Sequence, residues 1–260
     1  MKPIRICFIS DLHCGHRVGL TPPEYQSAVC GYKFYKTQMV LWNWYVDNIK
    51  AIKPQILVVN GDAIDGRGER SGSTELIAVS RIKQCEMAGV AISVVGADEV
   101  YMTRGTPYHV GNAEEFEDII KQHVEIKKIE DHAWYDINGV VFDVKHMPGG
   151  TSGVPHTAGT GITMDHIWNT FWANHNKSQP LSHVTIRSHT HSFSYHGFDN
   201  WLGVLTPALQ GMGSKYGAKA CRKLIHFGFI YFDVYENGEY TWNWRIAKVE
   251  EQQAKAIKLA

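Results

Sequence analysis

The chain has 260 residues, 44% hydrophobic and 20% charged, with 24 Gly and 9 Pro, a balance that excludes collagen-like and disordered classes and leaves length for one large domain or two small ones. Lys and Arg number 26, and so do Asp and Glu, which excludes a global basic field acting on nucleic acid or anionic lipid, so phosphate recognition is local. No apolar run reaches the roughly 18 residues a membrane helix needs, and Asp11 interrupts the apolar start before it can act as a secretory leader, so a cytoplasmic protein with no membrane attachment is expected.

Ile4, Ile6, Phe8 and Ile9 form a short apolar run that stops at Ser10-Asp11, which reads as a buried strand delivering Asp11 to its carboxyl end. From Phe34 to Ile52, the residues Met39, Trp42, Val46 and Ile49 recur at steps of three and four, one face of a helix that Pro54 closes. Gln55 to Asn60 is a second buried strand, ending on Gly61-Asp62. Thr74 to about Ala88 reads as a helix, with Val90 to Val95 open between continued helix and new strand. Glu99 to Arg104 is a strand ending at Gly105, and Asn112 with Glu115 caps a helix carrying Phe116, Ile119, Ile120 and Val124.

The pattern then turns β-rich. Trp134 to Ile137 and Val140 to Lys145 flank Asn138-Gly139, a strong hairpin signal, and the second strand ends at His146. Residues 147–161 form a lid-like loop rich in Gly, Ser, Thr and Pro, ahead of a helix with Met164, Ile167, Trp168, Phe171 and Trp172 on one face. His183 to Arg187 is a strand ending in Ser188-His189-Thr190-His191, and a late hairpin spans Phe227 to Ile246 around Asn237-Gly238. Neither a repeat nor a composition shift divides the chain, so a single domain over 1–260 is expected, with roughly the last 12 residues an exposed tail.

The five cysteines, Cys7, Cys14, Cys30, Cys85 and Cys221, contain no C-x-x-C pair, so reduced thiols are expected rather than a disulfide framework or a thiolate zinc site. The 14 histidines say more. The strand ends present Asp11 with His13, Asp62, the Gly105 to His109 turn, His146, and His189 with His191, so only carboxylate and imidazole recur. Carboxyl ends of strands form the ligand crevice of open α/β sheets, and Asp oxygen with His nitrogen suits Mn, Fe, Zn or Co better than Ca.

Asp11-Leu12-His13, Gly61-Asp62-Ala63-Ile64-Asp65, Gly105-Thr106-Pro107-Tyr108-His109, His146 and Ser188-His189-Thr190-His191 come in the order of five known motifs. They resemble the D-x-H, G-D-x-x-D, G-N-H-[DE], single-His and G-H-x-H motifs of the calcineurin-like metallophosphoesterase superfamily, over residues 4 to about 210. The resemblance implies a four-layer αββα sandwich, two mixed β-sheets flanked by helices. It also implies that Asp11, His13 and His191 hold one divalent ion, that His146 and His189 hold another with Thr106 in the place of the family's Asn, and that Asp62 bridges both. Mn is expected first, then Fe, Zn, Co or Ni. Two such ions lower the pKa of a shared water so that hydroxide attacks phosphorus in line, and His109 is the implied catalytic histidine, protonating the leaving alkoxide.

Three departures stand out. A Thr106 hydroxyl is a poorer donor than an amide oxygen, so a weaker or more solvated second metal site is expected; Pro107 and Tyr108 are extra residues before His109; and Ser188 stands where the family has Gly. Asp65 is expected to orient a ligand or cap a turn rather than bind metal, and Arg67 is a candidate phosphate contact, the alternative being a solvated loop charge. The basic loop 210–223, with Lys215, Lys219, Arg222 and Lys223, reads as a solvated turn, with contact to a polyanionic substrate as the alternative. Trp42, Trp168, Trp172, Trp242 and Trp244 are all expected in packing roles. A metallo-β-lactamase-like H-x-H-x-D-H fails because Ser192, Phe193 and Ser194 follow His191. The expected activity is hydrolysis of a phosphodiester in a nucleotide or nucleic acid, a protein-phosphatase signature being absent. The alternatives are a phosphomonoesterase on small molecules or phosphoproteins and a non-catalytic scaffold.

Overall fold

The computed structural model describes residues 2–26, 33–111, 115–150, 157–175, 178–214, 224–248 and 256–258. Cys30, Cys221, the expected cap Asn112, part of the expected lid (151–156), the basic residues Lys215, Lys219, Arg222 and Lys223, and most of the expected tail lie outside them. In chain order the elements are β1 (Ile4–Ile9), α1 (Tyr35–Ile52), β2 (Ile56–Asn60), α2 (Arg81–Ser93), β3 (Glu99–Thr103), α3 (Pro107–Val110), β4 (Lys128–Glu130), β5 (His132–Ile137), β6 (Val140–Lys145), α4 (Thr160–His175), β7 (Val184–Arg187), β8 (Ser194–Phe198), β9 (Trp201–Leu205), β10 (Gly228–Val234) and β11 (Tyr240–Ile246).

β1 is apolar on both faces, which requires a layer on each side. Ile6 and Phe8 point one way and Cys7 and Ile9 the other, and all four are fully buried. β1 lies within a six-stranded mixed sheet ordered β11-β10-β1-β2-β3-β4, where β1 to β4 run parallel and β10 is antiparallel to both of its neighbours. The second sheet is ordered β5-β6-β7-β9-β8, with a parallel centre (β6, β7, β9) and antiparallel edges. Ile6, Phe8, Val58 and Phe232 meet Phe142, Val144, Ile186 and Val204 between the sheets. Phe8, Phe142 and Phe232 form a ring triad with centroids 5.1 to 5.9 Å apart.

On its outer face the first sheet packs Cys7, Ile9, Leu57 and Val59 against Leu41, Tyr45 and Ile49 of α1 and Cys85, Ala88 and Ile92 of α2. α4 covers the outer face of the second sheet, where Ile162 packs on Trp201 and Leu205. The architecture is therefore two mixed β-sheets flanked by helices. No helix among the described residues is long and apolar enough to cross a membrane.

Several elements depart from the sequence pattern. Residues 74–79 are turn and irregular backbone rather than helix, because Leu76 bridges to His16 and Ile77 donates its N–H to the Gly15 carbonyl (2.8 Å), and α2 begins only at Arg81, where the Ser80 hydroxyl accepts from the Lys83 amide (3.4 Å). Val90 lies inside α2. The helix expected after Glu115 is a seven-residue 3₁₀ segment, Phe116–Gln122. Glu115 is left-handed (φ 42°) and pairs with Arg104 at 3.4 Å instead of capping. The β8–β9 hairpin was not foreseen, since the Asp199-Asn200 turn is a weaker signal than Asn-Gly.

The largest correction concerns α4. Met164, Ile167, Trp168, Phe171 and Trp172 share one face as expected, but that face is exposed, and Trp168 and Trp172, expected in packing roles, lie on it. The helix instead turns Ile162 and Asn169 to the sheet, and the Asn169 amide anchors it by accepting from the Ser182 amide (2.9 Å) and donating to the Pro180 carbonyl (3.0 Å). Trp42 is buried, but Trp244 is also a partial miss: it is 40% exposed while touching Phe193 and Trp242.

Candidate metal centre

The loops leaving β1, β2, β3, β6 and β7 meet where the carboxyl ends of the two sheets converge. Asp11 donates its N–H to the Gly61 carbonyl and His13 to the Asp62 carbonyl, both at 3.0 Å, so the first two carboxylate loops are stitched together by backbone. Asp11, His13, Asp62, His189 and His191 all have φ between 45° and 67°. A left-handed conformation in a non-Gly residue is unfavourable, and its recurrence here turns successive side chains into one space. Gly105 must be Gly, because a Cβ there would overlap the Asp62 carboxylate and amide.

Three donor groups each fall within 4.8 Å: Asp11, His13 and His191; Asp62, His146 and His189; and His13, Asp62 and His109. The His13 and His191 Nε2 atoms face each other at 3.2 Å, and His191 Nε2 lies 3.2 Å from Asp11 Oδ1. That Asp11 oxygen is buried with no hydrogen-bond partner, a costly state unless a cation compensates it. His13 Nδ1 lies 3.0 Å from Asp65 Oδ1 and His146 Nδ1 lies 2.7 Å from the Asn60 carbonyl, so each ring can donate there and aim its Nε2 lone pair inward. His146 Nε2 is then 3.0 Å from Asp62 Oδ2. Lone pairs converging on carboxylates in this way fit a divalent cation.

The electrostatics agree. Burial opposes charge on His146, but Asp62 and Asp11 outweigh it and raise the ring to about 10. Burial likewise works against ionised Asp11, yet His191 and His146 hold it at about 2. The cavity favours positive charge facing anionic Asp. Burial and the nearby His109 push His13 down, towards the neutral form a ligand needs.

Thr106 begins α3 at its N-cap position, with Pro107 opening the turn. The two extra residues are accommodated as one helical turn that brings His109 back, its Nδ1 2.8 Å from the Asp65 carbonyl and its Nε2 4.0 Å from Asp62 Oδ2. The Thr106 hydroxyl lies 3.1 and 3.2 Å from the two Asp62 oxygens, and its N–H donates to Oδ1 at 2.7 Å. Arg67 is exposed on the loop beyond Asp65. His16, near this loop, is buried and held down at about 4 chiefly by that burial.

Two features escaped the sequence pattern. Glu117 is fully buried, and its carboxylate accepts from the Ala63 N–H (2.6 Å) and the Gly105 N–H (2.7 Å), joining the Asp62 and Thr106 loops. Burial and the charge of Asp62 push it up to about 8, with the two amides opposing that rise. Beneath the ligands, Thr103 donates to the Asn60 amide oxygen, the Asn60 amide donates to Ser188 Oγ (2.7 Å), and Thr206 links Ser188 Oγ (2.7 Å) to Ser10 Oγ (2.8 Å). This polar floor crosses both sheets and explains Ser188, whose hydroxyl is one of its links.

The model of the calcineurin-like phosphoesterases matches residues 4–232. The chain belongs to that family, a metal-dependent class of phosphoesterases. No curated protein matches the sequence. Among solved structures, Vps29 from Chaetomium thermophilum is 11% identical, with 95% of this chain and 97% of that one covered at a TM-score of 0.49. A structure titled as a novel archaeal phosphodiesterase is 14% identical, with 93% and 99% covered at a TM-score of 0.46. A Vps29 variant from Entamoeba histolytica is 10% identical, with 94% and 99% covered at a TM-score of 0.46.

Proposed function

We propose that this phosphoesterase hydrolyses phosphodiester bonds, in a nucleotide or nucleic acid, at a dinuclear centre, with Mn as the first candidate metal. The carrying observation is the pair of donor groups, Asp11 with His13 and His191, and Asp62 with His146 and His189, each within 4.8 Å. Asp62, its Oδ2 3.0 Å from His146 Nε2, also belongs to a third group with His13 and His109 whose donor atoms lie within 4.8 Å of one another, which supports a bridging role. When bound, divalent cations supply Lewis-acid charge at the phosphoryl group and lower the pKa of water.

This chain's own residues do the rest. Asp65 orients His13 through Nδ1 (3.0 Å), and its carbonyl, 2.8 Å from His109 Nδ1, can fix that ring so that Nε2 faces the centre. His109 is partly buried there, its side chain still 17% exposed and so able to take a proton from solvent and give it to a leaving alkoxide. Thr106, a weak neutral donor, leaves the His146 and His189 side the more weakly held of the two. Arg67 sits on the loop beyond Asp65 as a candidate contact for substrate phosphate. The described cysteines, Cys7, Cys14 and Cys85, are free and buried, which supports a cytoplasmic setting.

The test is release of nitrophenolate from bis(p-nitrophenyl) phosphate and from p-nitrophenyl phosphate, using metal-stripped protein with and without Mn²⁺, beside Asp62→Ala. Mn²⁺-dependent turnover of the diester that the substitution abolishes is expected. Preference for the monoester would assign a phosphomonoesterase. No turnover of either, with metal bound, would assign a scaffold.

A further inference from the structure

The apolar stripe of α4 faces away from the molecule. At 100° per residue, Met164, Ile167, Trp168, Phe171 and Trp172 occupy an arc of about 140°, while Ile162 and Asn169, the residues buried on the sheet, lie opposite. The five are 37% to 57% exposed. Large apolar side chains carry about 150–250 Å² each, so together they present on the order of 500 Å² to solvent, the upper end of what a monomer normally shows in one patch. Leu181, 48% exposed, follows the helix in the chain.

The charge pattern narrows the occupant. The only Asp, Glu, Lys or Arg in α4 is Asp165. Its carboxylate is turned inward, accepting from Arg187 Nε at 2.8 Å and from the Gly149 amide at 3.0 Å. The outward face therefore offers no Lys or Arg to an anionic lipid surface and no Asp or Glu to a basic partner; its one ionisable side chain is His175, at the last residue of the helix. Along the apolar stripe itself nothing repels its own image across a two-fold axis. Met164, Ile167 or Trp168, and Phe171 follow the three-and-four spacing with which one helix seats against another. Two copies facing each other would bury about 1,000 Å² from these side chains alone, the threshold of a specific interface, before flanking residues add to it.

We infer that α4 is a self-association surface, through which two copies of this chain pair α4 to α4 about a two-fold axis, leaving both metal centres free. The inference is independent of what the centre hydrolyses. Sedimentation equilibrium of the full chain over a wide concentration range tests it. The expected result is a reversible dimer, weakened at least about thirtyfold by Phe171→Asp, the size of one interfacial hot spot, with circular dichroism melting unchanged at concentrations low enough that both chains are monomeric, because the side chain is 57% exposed. As an independent reading, Trp168→Cys, near the middle of the stripe, should form a disulfide between copies under mild oxidation beyond the parent chain's background, while Lys50→Cys on α1 should not. A monomer at every concentration, or a dimer that Phe171→Asp leaves intact, overturns the inference. A monomer that co-sediments with phosphatidylcholine vesicles through this face would give the surface to lipid instead.

Discussion

Glu117→Gln isolates what holds the Asp62 and Thr106 loops together. Glu117 is 0% exposed, and its oxygens accept from Ala63 N–H at 2.6 Å and Gly105 N–H at 2.7 Å. A glutamine keeps the shape, but only its oxygen can accept; its NH₂ confronts the second backbone N–H. Pushed up to about 8, Glu117 is largely protonated at neutral pH, so the lost bond is a neutral one worth roughly 0.5–1.5 kcal/mol, and the buried donor left unsatisfied costs about 1–3 kcal/mol; a net loss of about 2–3 kcal/mol is expected. In a chain of this length that lowers the melting temperature by about 5–10 °C. Because the two amides adjoin Asp62 and Thr106, affinity for Mn²⁺ should also fall, by about ten- to a hundredfold, as when a group supporting a ligand is lost. Thermal unfolding in chelator and calorimetric Mn²⁺ titration read the two effects separately. Unchanged stability would refute the bonding argument, and lost stability with parental Mn²⁺ affinity would refute the link from these loops to ligand placement.

Thr106→Asn restores an amide oxygen beside Asp62 and should raise affinity at the weaker metal site by about tenfold, the worth of roughly 1.4 kcal/mol; titration stoichiometry and the second dissociation constant check it. His109→Ala should lower kcat by about a hundred- to ten-thousandfold with metal affinity unchanged; a fall in affinity would instead make His109 a ligand, consistent with its place in the His13–Asp62–His109 group. Asp143 is buried at 2.9 Å from Arg187 Nη1 and 2.7 Å from His132 Nε2, and although burial opposes it, Arg187 and His132 hold its carboxyl at about 2. A folded-state value below the ordinary 3.8 stabilises the protein above that pH and ceases to do so as pH falls towards 2. That share is about 2 kcal/mol. Acid unfolding of Asp143→Asn should lack this slope, while the variant loses about 3–5 kcal/mol near neutrality because Arg187 is left buried beside a weaker partner.

The candidate donor residues that the fold brings together were legible in the chain because they follow apolar runs that read as buried strands. Asp11 after β1, Asp62 after β2 and His189 after β7 are placed by that local rule. The family resemblance then ordered them. Asn138-Gly139 and Asn237-Gly238 likewise marked two hairpins through turn chemistry alone.

What lay outside the chain's local pattern depends on contacts between distant residues. Glu117 bonds to amides 54 and 12 residues away, and the floor joins Ser10 to Thr206 across 196 positions, so no window of sequence carries either signal. The helical turn that returns His109 to Asp65 could not be read from Pro107 and Tyr108, because its end point is a carbonyl on another loop. α4 shows the same limit from the other side. Periodicity establishes that an apolar stripe exists, but which face meets the sheet was decided by Asn169 bonding to Ser182 and Asp165 bonding to Arg187. Hydrophobic patterning is a property of one segment, whereas the direction in which a segment faces is settled by the polar partners that the fold brings beneath it.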